Sequence, residues 1–119
     1  MFTGITGYNA VLNGSRTTTG TLLTIPAGQK FTGNLQVTAS LAAAGTNAPT
    51  VTTSGTNVVP SSGSVLARLN VAGLLAVSVG DAIDTEILIE APPENSVTLE
   101  FTAGAAGSSS ATVNGFTFG

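Results

Sequence analysis

The chain has no cysteine, no histidine and no tryptophan in its 119 residues. Without cysteine there are no disulfides, no thiolate metal sites and no thiol nucleophiles. Without histidine, Ser-His-Asp and Cys-His catalytic arrangements and imidazole-bound zinc or iron sites cannot be assembled. Charge is scarce too: Asp, Glu, Lys and Arg make up 8% of residues, against about 25% in ordinary globular chains. Arg16, Lys30 and Arg68 are the only bases and the formal net charge is -3, so the chain has too little positive charge to neutralise a phosphate backbone, which argues against nucleic-acid partners. No apolar run reaches the length of about 18 residues needed to cross a bilayer as a helix. Residues 64–80 come nearest, but Arg68, Asn70, Gly73 and Ser78 interrupt them, and they read as core strands. The start, Met1 to Gly7, has neither a basic region nor an apolar run, so no secretory signal is expected.

The scarcity of aromatics bears on carboxylate chemistry. Glu86, Glu90 and Glu100 offer paired acids of the kind that cleave glycosides, but the only aromatics are five Phe and Tyr8, a poor platform for stacking a sugar. Glu86 and Glu90 also alternate with Ile87 and Ile89, which reads as the outer face of a strand. Lys30, following Ala27-Gly28-Gln29, reads as a turn residue rather than half of a Ser-Lys pair. The glycines fall at turns and not ahead of a helix, so no nucleotide-binding loop is expected. The expectation is a non-enzymatic protein without a cofactor.

What the chain does have is strand pattern. In Phe31 to Leu41 the odd positions are nearly all apolar and the even ones polar or Gly, and Ser96 to Ala103 alternates as cleanly; period two is the signature of a half-buried strand. Further strands are expected at Ala10 to Leu12, Gly20 to Ile25, Thr50 to Thr53, Val65 to Asn70, Leu74 to Val79, Thr85 to Ala91 and Ala111 to Phe118. Turn clusters separate them at Asn13-Gly14-Ser15, Pro26-Ala27-Gly28, Gly45-Thr46-Asn47, Pro60 to Gly63, Gly80-Asp81 and Pro92 to Asn95. Eight or nine short strands in a chain of one-domain length predict an all-β, antiparallel two-sheet β-sandwich spanning 1–119. A jelly roll is the leading topology and an immunoglobulin-like sandwich the second, since no Cys...Trp...Cys framework supports the latter. The five Phe are expected to fill the core.

Three features point outward. Mean hydropathy is +0.41 with little charge, so the surface is built from Thr, Ser, Asn, Gly and Ala, a composition suited to faces covered by neighbours in an assembly. Every acid (Asp81, Asp84, Glu86, Glu90, Glu94, Glu100) follows every base in the chain; either the basic half of one copy meets the acidic half of another, or folding interleaves the halves. Residues 1–9, Gly-rich and carrying Phe2, Ile5 and Tyr8, are candidates for an N-terminal arm that orders on a partner, or for a first strand. The only metal candidate is calcium at Asp81, Asp84 and Glu86, placed in an acidic loop after Gly80; it lacks the alternating ligands and the Gly of an EF-hand.

The segment Leu23-Thr24-Ile25-Pro26-Ala27-Gly28-Gln29-Lys30-Phe31, continuing through Thr32-Gly33-Asn34-Leu35-Gln36-Val37-Thr38-Ala39, resembles a phrase of small β-sandwich proteins in tailed-bacteriophage virions. Val97 to Phe101, a Gly/Ser/Ala loop and Thr112-Val113-Asn114-Gly115 are similar to the last hairpin of those proteins. Together the two stretches cover about half the chain. The resemblance implies a capsid decoration, or cement, protein: a homotrimer bound to the outer face of the major capsid protein lattice, part of the virion, with no catalytic residues. A tail-fibre or carbohydrate-binding β-sandwich module is the alternative.

Overall fold

The structure, a computed structural model, describes residues 8–41, 49–68, 79–104 and 108–119; among them are eight strands and no helix. The strands are β1 (Tyr8–Arg16), β2 (Gly20–Ile25), β3 (Lys30–Leu41), β4 (Thr50–Ser54), β5 (Val65–Arg68), β6 (Val79–Glu90), β7 (Val97–Thr102) and β8 (Ser108–Phe118). They form two four-stranded sheets, sheet A in the order β1-β8-β3-β6 and sheet B in the order β2-β7-β4-β5.

The pairing has a simple logic. β1 pairs with β8, β2 with β7, β3 with β6 and β4 with β5, all antiparallel, as if the chain were one long hairpin bent at the β4–β5 loop. Rolling that hairpin brings β3 beside β8 and β4 beside β7, which gives the jelly roll and not the immunoglobulin-like order. The same roll interleaves the two halves of the chain. Lys30, for example, lies directly opposite Glu90.

Alternation decides what is buried. The inner face of sheet A presents Phe31, Leu35, Val37, Ile87, Ile89, Ala111 and Val113 from odd positions of β3, β6 and β8. Sheet B answers with Ile25, Val51, Val97, Leu99 and Phe101, and burying each large apolar side chain contributes roughly 1.5–3 kcal/mol. Of the four described Phe, Phe31 and Phe101 are in this core. Phe116 and Phe118 stand at even positions of β8 and face outward, and Phe2 lies outside the described residues.

Several boundaries differ from the sequence expectation. Asn13-Gly14-Ser15 is not a turn but part of β1, whose register with β8 runs on to Arg16. Gly14 is there because the Leu22 carbonyl of β2 is tucked against it, leaving no room for a Cβ. Gly80-Asp81 is likewise inside a strand, because β3 is paired along its whole length from Lys30↔Glu90 to Leu41↔Val79. β7 and β8 belong to different sheets, so the closing segment is an arch between layers and not a hairpin. The expected strand at Leu74 to Val79 lies outside the described residues except for Val79, as does the turn at Gly45-Thr46-Asn47.

The turns at Pro26-Ala27-Gly28 and Pro92 to Asn95 hold each other: Gly28 N–H donates to Pro92 O at 2.8 Å and Ala91 N–H to Gln29 O at 2.9 Å. Gly28 has φ +77°, a left-handed conformation that glycine adopts without steric cost.

Candidate functional site

Reading the register across sheet A turns a one-dimensional pattern into a surface. Val11 lies opposite Phe116, Phe116 opposite Thr32, and Thr32 opposite Leu88. These four residues form a row across the outer face, one per strand, at a strand spacing of about 4.8 Å. Three of the four are large and apolar, and they are exposed: Val11 65%, Leu88 52% and Phe116 42%. The Phe118 ring extends the band, with its centroid 6.3 Å from that of Phe116.

The next row towards the middle of the sheet is Asn13, Asn114, Asn34 and Glu86, and the one beyond it Ser15, Thr112, Gln36 and Asp84. Further along, the Thr38 and Ser110 hydroxyls hydrogen-bond at 2.6 Å. The outer face of sheet A is therefore an apolar band, then an amide row, then a hydroxyl field. Apart from Lys30, beside the apolar band, its described charges sit on the edge strand β6. Sheet B has a different exterior, with Thr21, Thr24, Thr50, Thr52, Thr98 and Thr102 turned outward. There the Thr21 hydroxyl donates to Glu100 Oε2 at 2.9 Å.

Comparison with known proteins finds no matching family model, no similar curated protein and no similar solved structure.

The candidates singled out in sequence fall in different places. Phe2 and Ile5 lie outside the described residues, while the backbone of Tyr8 is the first position of β1, opposite Phe118. Asp81, Asp84 and Glu86 are strand residues of β6, not a loop. Asp84 and Glu86 are exposed on one face two residues apart, roughly 7 Å along the strand, and a strand does not wrap its carboxylates around an ion as a calcium loop does. Among the described residues no group of three or more acids is placed to hold a metal. Arg16 is engaged locally: its guanidinium donates to Thr18 O at 2.8 Å, Thr18 Oγ1 at 3.1 Å and Thr19 O at 3.2 Å.

The apolar band was the feature missed in sequence. Its signal was present, since Leu88 and Phe116 are large apolar residues at the polar phase of their strands. Leu88 is hidden between Ile87 and Ile89, and at the end of β8 the buried residue is Thr117 between two Phe, so the local alternation reads with the opposite phase.

Proposed function

We propose that the chain is a non-enzymatic structural protein of a tailed-phage virion that binds the outer face of the major capsid protein lattice and stabilises the shell. The observation that carries this reading is the Val11–Phe116–Leu88 band. It is an apolar strip on a face with few charges, which suits contact with another protein surface. The sequence resemblance supports the same reading, as does an exterior of hydroxyls and amides with little charge to desolvate on contact. Among the described residues no helix is long and apolar enough to cross a membrane.

The test is sedimentation of the purified protein with expanded capsids of tailed phages. Saturable binding in a fixed ratio to capsid subunits is expected, weakened at least about tenfold by Phe116→Ser, a loss of roughly 1.4 kcal/mol. Absence of binding to any capsid would remove the proposal. The second reading, a tail-fibre or carbohydrate-binding module, is favoured by Phe116 standing beside Asn114 and Asn34; a glycan array that stays blank would exclude it.

A further inference from the structure

A jelly roll leaves four strand edges, and here they are not equivalent. β5 is only four residues long. β2 has a bulge between Thr21 and Leu23, and its Leu22 carbonyl is tucked against Gly14 of β1. β6 is long, but it carries Asp81, Asp84, Glu86 and Glu90. Its end is already occupied, since Val59 and Glu90 exchange backbone hydrogen bonds of 3.0 and 2.8 Å. Acids along an edge and a loop closed over its end are devices that prevent further strand pairing.

Among the described residues β1 has neither device. From Tyr8 to Ser15 it carries no charge and no proline, and its one irregularity lies at its start, between Tyr8 and Ala10. The Val59–Glu90 bridge also fixes the phase of the ladder. Glu90 points its backbone groups away from β3, so Lys30 bonds to Phe118, and by alternation Val11, Asn13 and Ser15 point theirs away from β8. The side chains of these same three residues are exposed on the outer face.

We infer that β1 is the self-association edge of the protein, pairing antiparallel with β1 of a second copy so that two copies of sheet A join into one eight-stranded sheet. The charge distribution selects this occupant. A two-fold pair through β1 keeps both β6 strands at the far edges, three strand spacings from β1 in each copy and seven from each other, or roughly 34 Å apart, well beyond the screening length of about 8 Å. Pairing β1 with the β6 of a second copy would leave one open edge of each kind and propagate, whereas the β1 pair closes on itself. It also places the two Val11–Phe116 bands on one continuous face. The inference rests on the reading of the chain as an assembling protein, but it departs from the homotrimer implied by the resemblance.

Mass measurement of the intact protein by light scattering, over roughly 1–300 µM, tests it, since a short edge contact gives micromolar rather than nanomolar affinity. A mass of two copies is expected. Val11→Lys should weaken the pair at least about tenfold, while Glu86→Lys on the opposite edge leaves it unchanged. Because the chain has no cysteine, Asn13→Cys supplies a single thiol near the junction. Oxidation is expected to link pairs through it and not through Glu86→Cys, a readout that does not depend on the lysine variant folding. A single-copy mass throughout, a three-copy mass, or a pair indifferent to Val11→Lys and not linked through position 13 would overturn the inference. Capsid binding is read separately: a two-copy protein that binds no capsid sinks the decoration reading alone, and a one- or three-copy protein that binds sinks the β1 pair alone.

Discussion

Gly33 of β3 and Gly115 of β8 lie directly opposite each other, and the ring of Phe31 occupies the space that side chains at both positions would need. A methyl group at 115 would come within 2.7 Å of Phe31 Cζ and closer still to the Thr32 carbonyl oxygen, and one at 33 within 2.9 Å of the same ring carbon. Phe31 is fully buried, so its ring can move only by displacing other core side chains. Gly115→Ala is expected to destabilise the protein by about 1–3 kcal/mol through overpacking, seen as a fall in melting temperature by circular dichroism. The double variant with Gly33→Ala should cost at least the sum, because each methyl also comes within 2.7–2.9 Å of the other glycine's Cα and the two would crowd each other directly. Unchanged melting of Gly115→Ala would show that β3 and the Phe31 ring do not approach position 115 this closely.

Arg16 clamps the β1–β2 connection. Its acceptors are neutral: the carbonyls of Thr18, Thr19 and Thr21 and the Thr18 hydroxyl. Arg16→Ala should lower stability by about 1 kcal/mol. Unlike the loss of a surface ion pair, the difference should persist at high salt, so melts of both proteins at about 0.05 and 1 M sodium chloride decide the point. A difference that vanishes at high salt would mean that Arg16 acts on a carboxylate.

The alternation of Phe31 to Leu41 and of Val97 to Phe101 was legible in sequence, because period two needs no partner to be seen. So was the jelly roll, from strand number and spacing. Gly14 and Gly80 were misread as turn formers. A glycine in a strand looks the same in sequence whether it breaks the strand or makes room for a crossing backbone, and only the approach of Leu22 O to Gly14 separates the two. The apolar band was legible only residue by residue, as Leu88 and Phe116 out of phase in their own strands, and not as a surface. Val11, Phe116, Thr32 and Leu88 are distant in the chain and become neighbours only through the β1–β8–β3–β6 order.

Thr53 is a buried polar residue whose hydroxyl donates to Ser61 O at 2.7 Å and accepts from Ser64 N–H at 3.2 Å. It ties the β4–β5 loop down, next to the segment in which Val59 caps β6. Thr53→Val keeps the shape and removes both bonds, at a cost of about 1–2 kcal/mol. Exchange of the Ser64 amide proton should accelerate, because that N–H is left with its bond to Ser61 O at 3.0 Å alone. If Ser64 exchanges at the wild-type rate, the hydroxyl is not what fastens the loop.

Asp84 and Glu86 are assigned a defensive role by the comparison of edges, and that role can be removed without touching the core. Both are exposed, at outward positions of β6, so replacing them together with Thr should change stability by no more than about 0.5 kcal/mol while raising strand propensity and removing like-charge repulsion along the edge. A second edge would then be open to pairing. With β1 already joining two copies, pairing through β6 as well would let the assembly extend, and light scattering should report species larger than pairs, growing with concentration. Adding Val11→Lys to the same variant should return the mass to two copies, now joined through β6. If the Asp84→Thr/Glu86→Thr protein keeps the wild-type mass at every concentration, the acids do not guard the edge, and β6 is closed by the Val59 bridge alone.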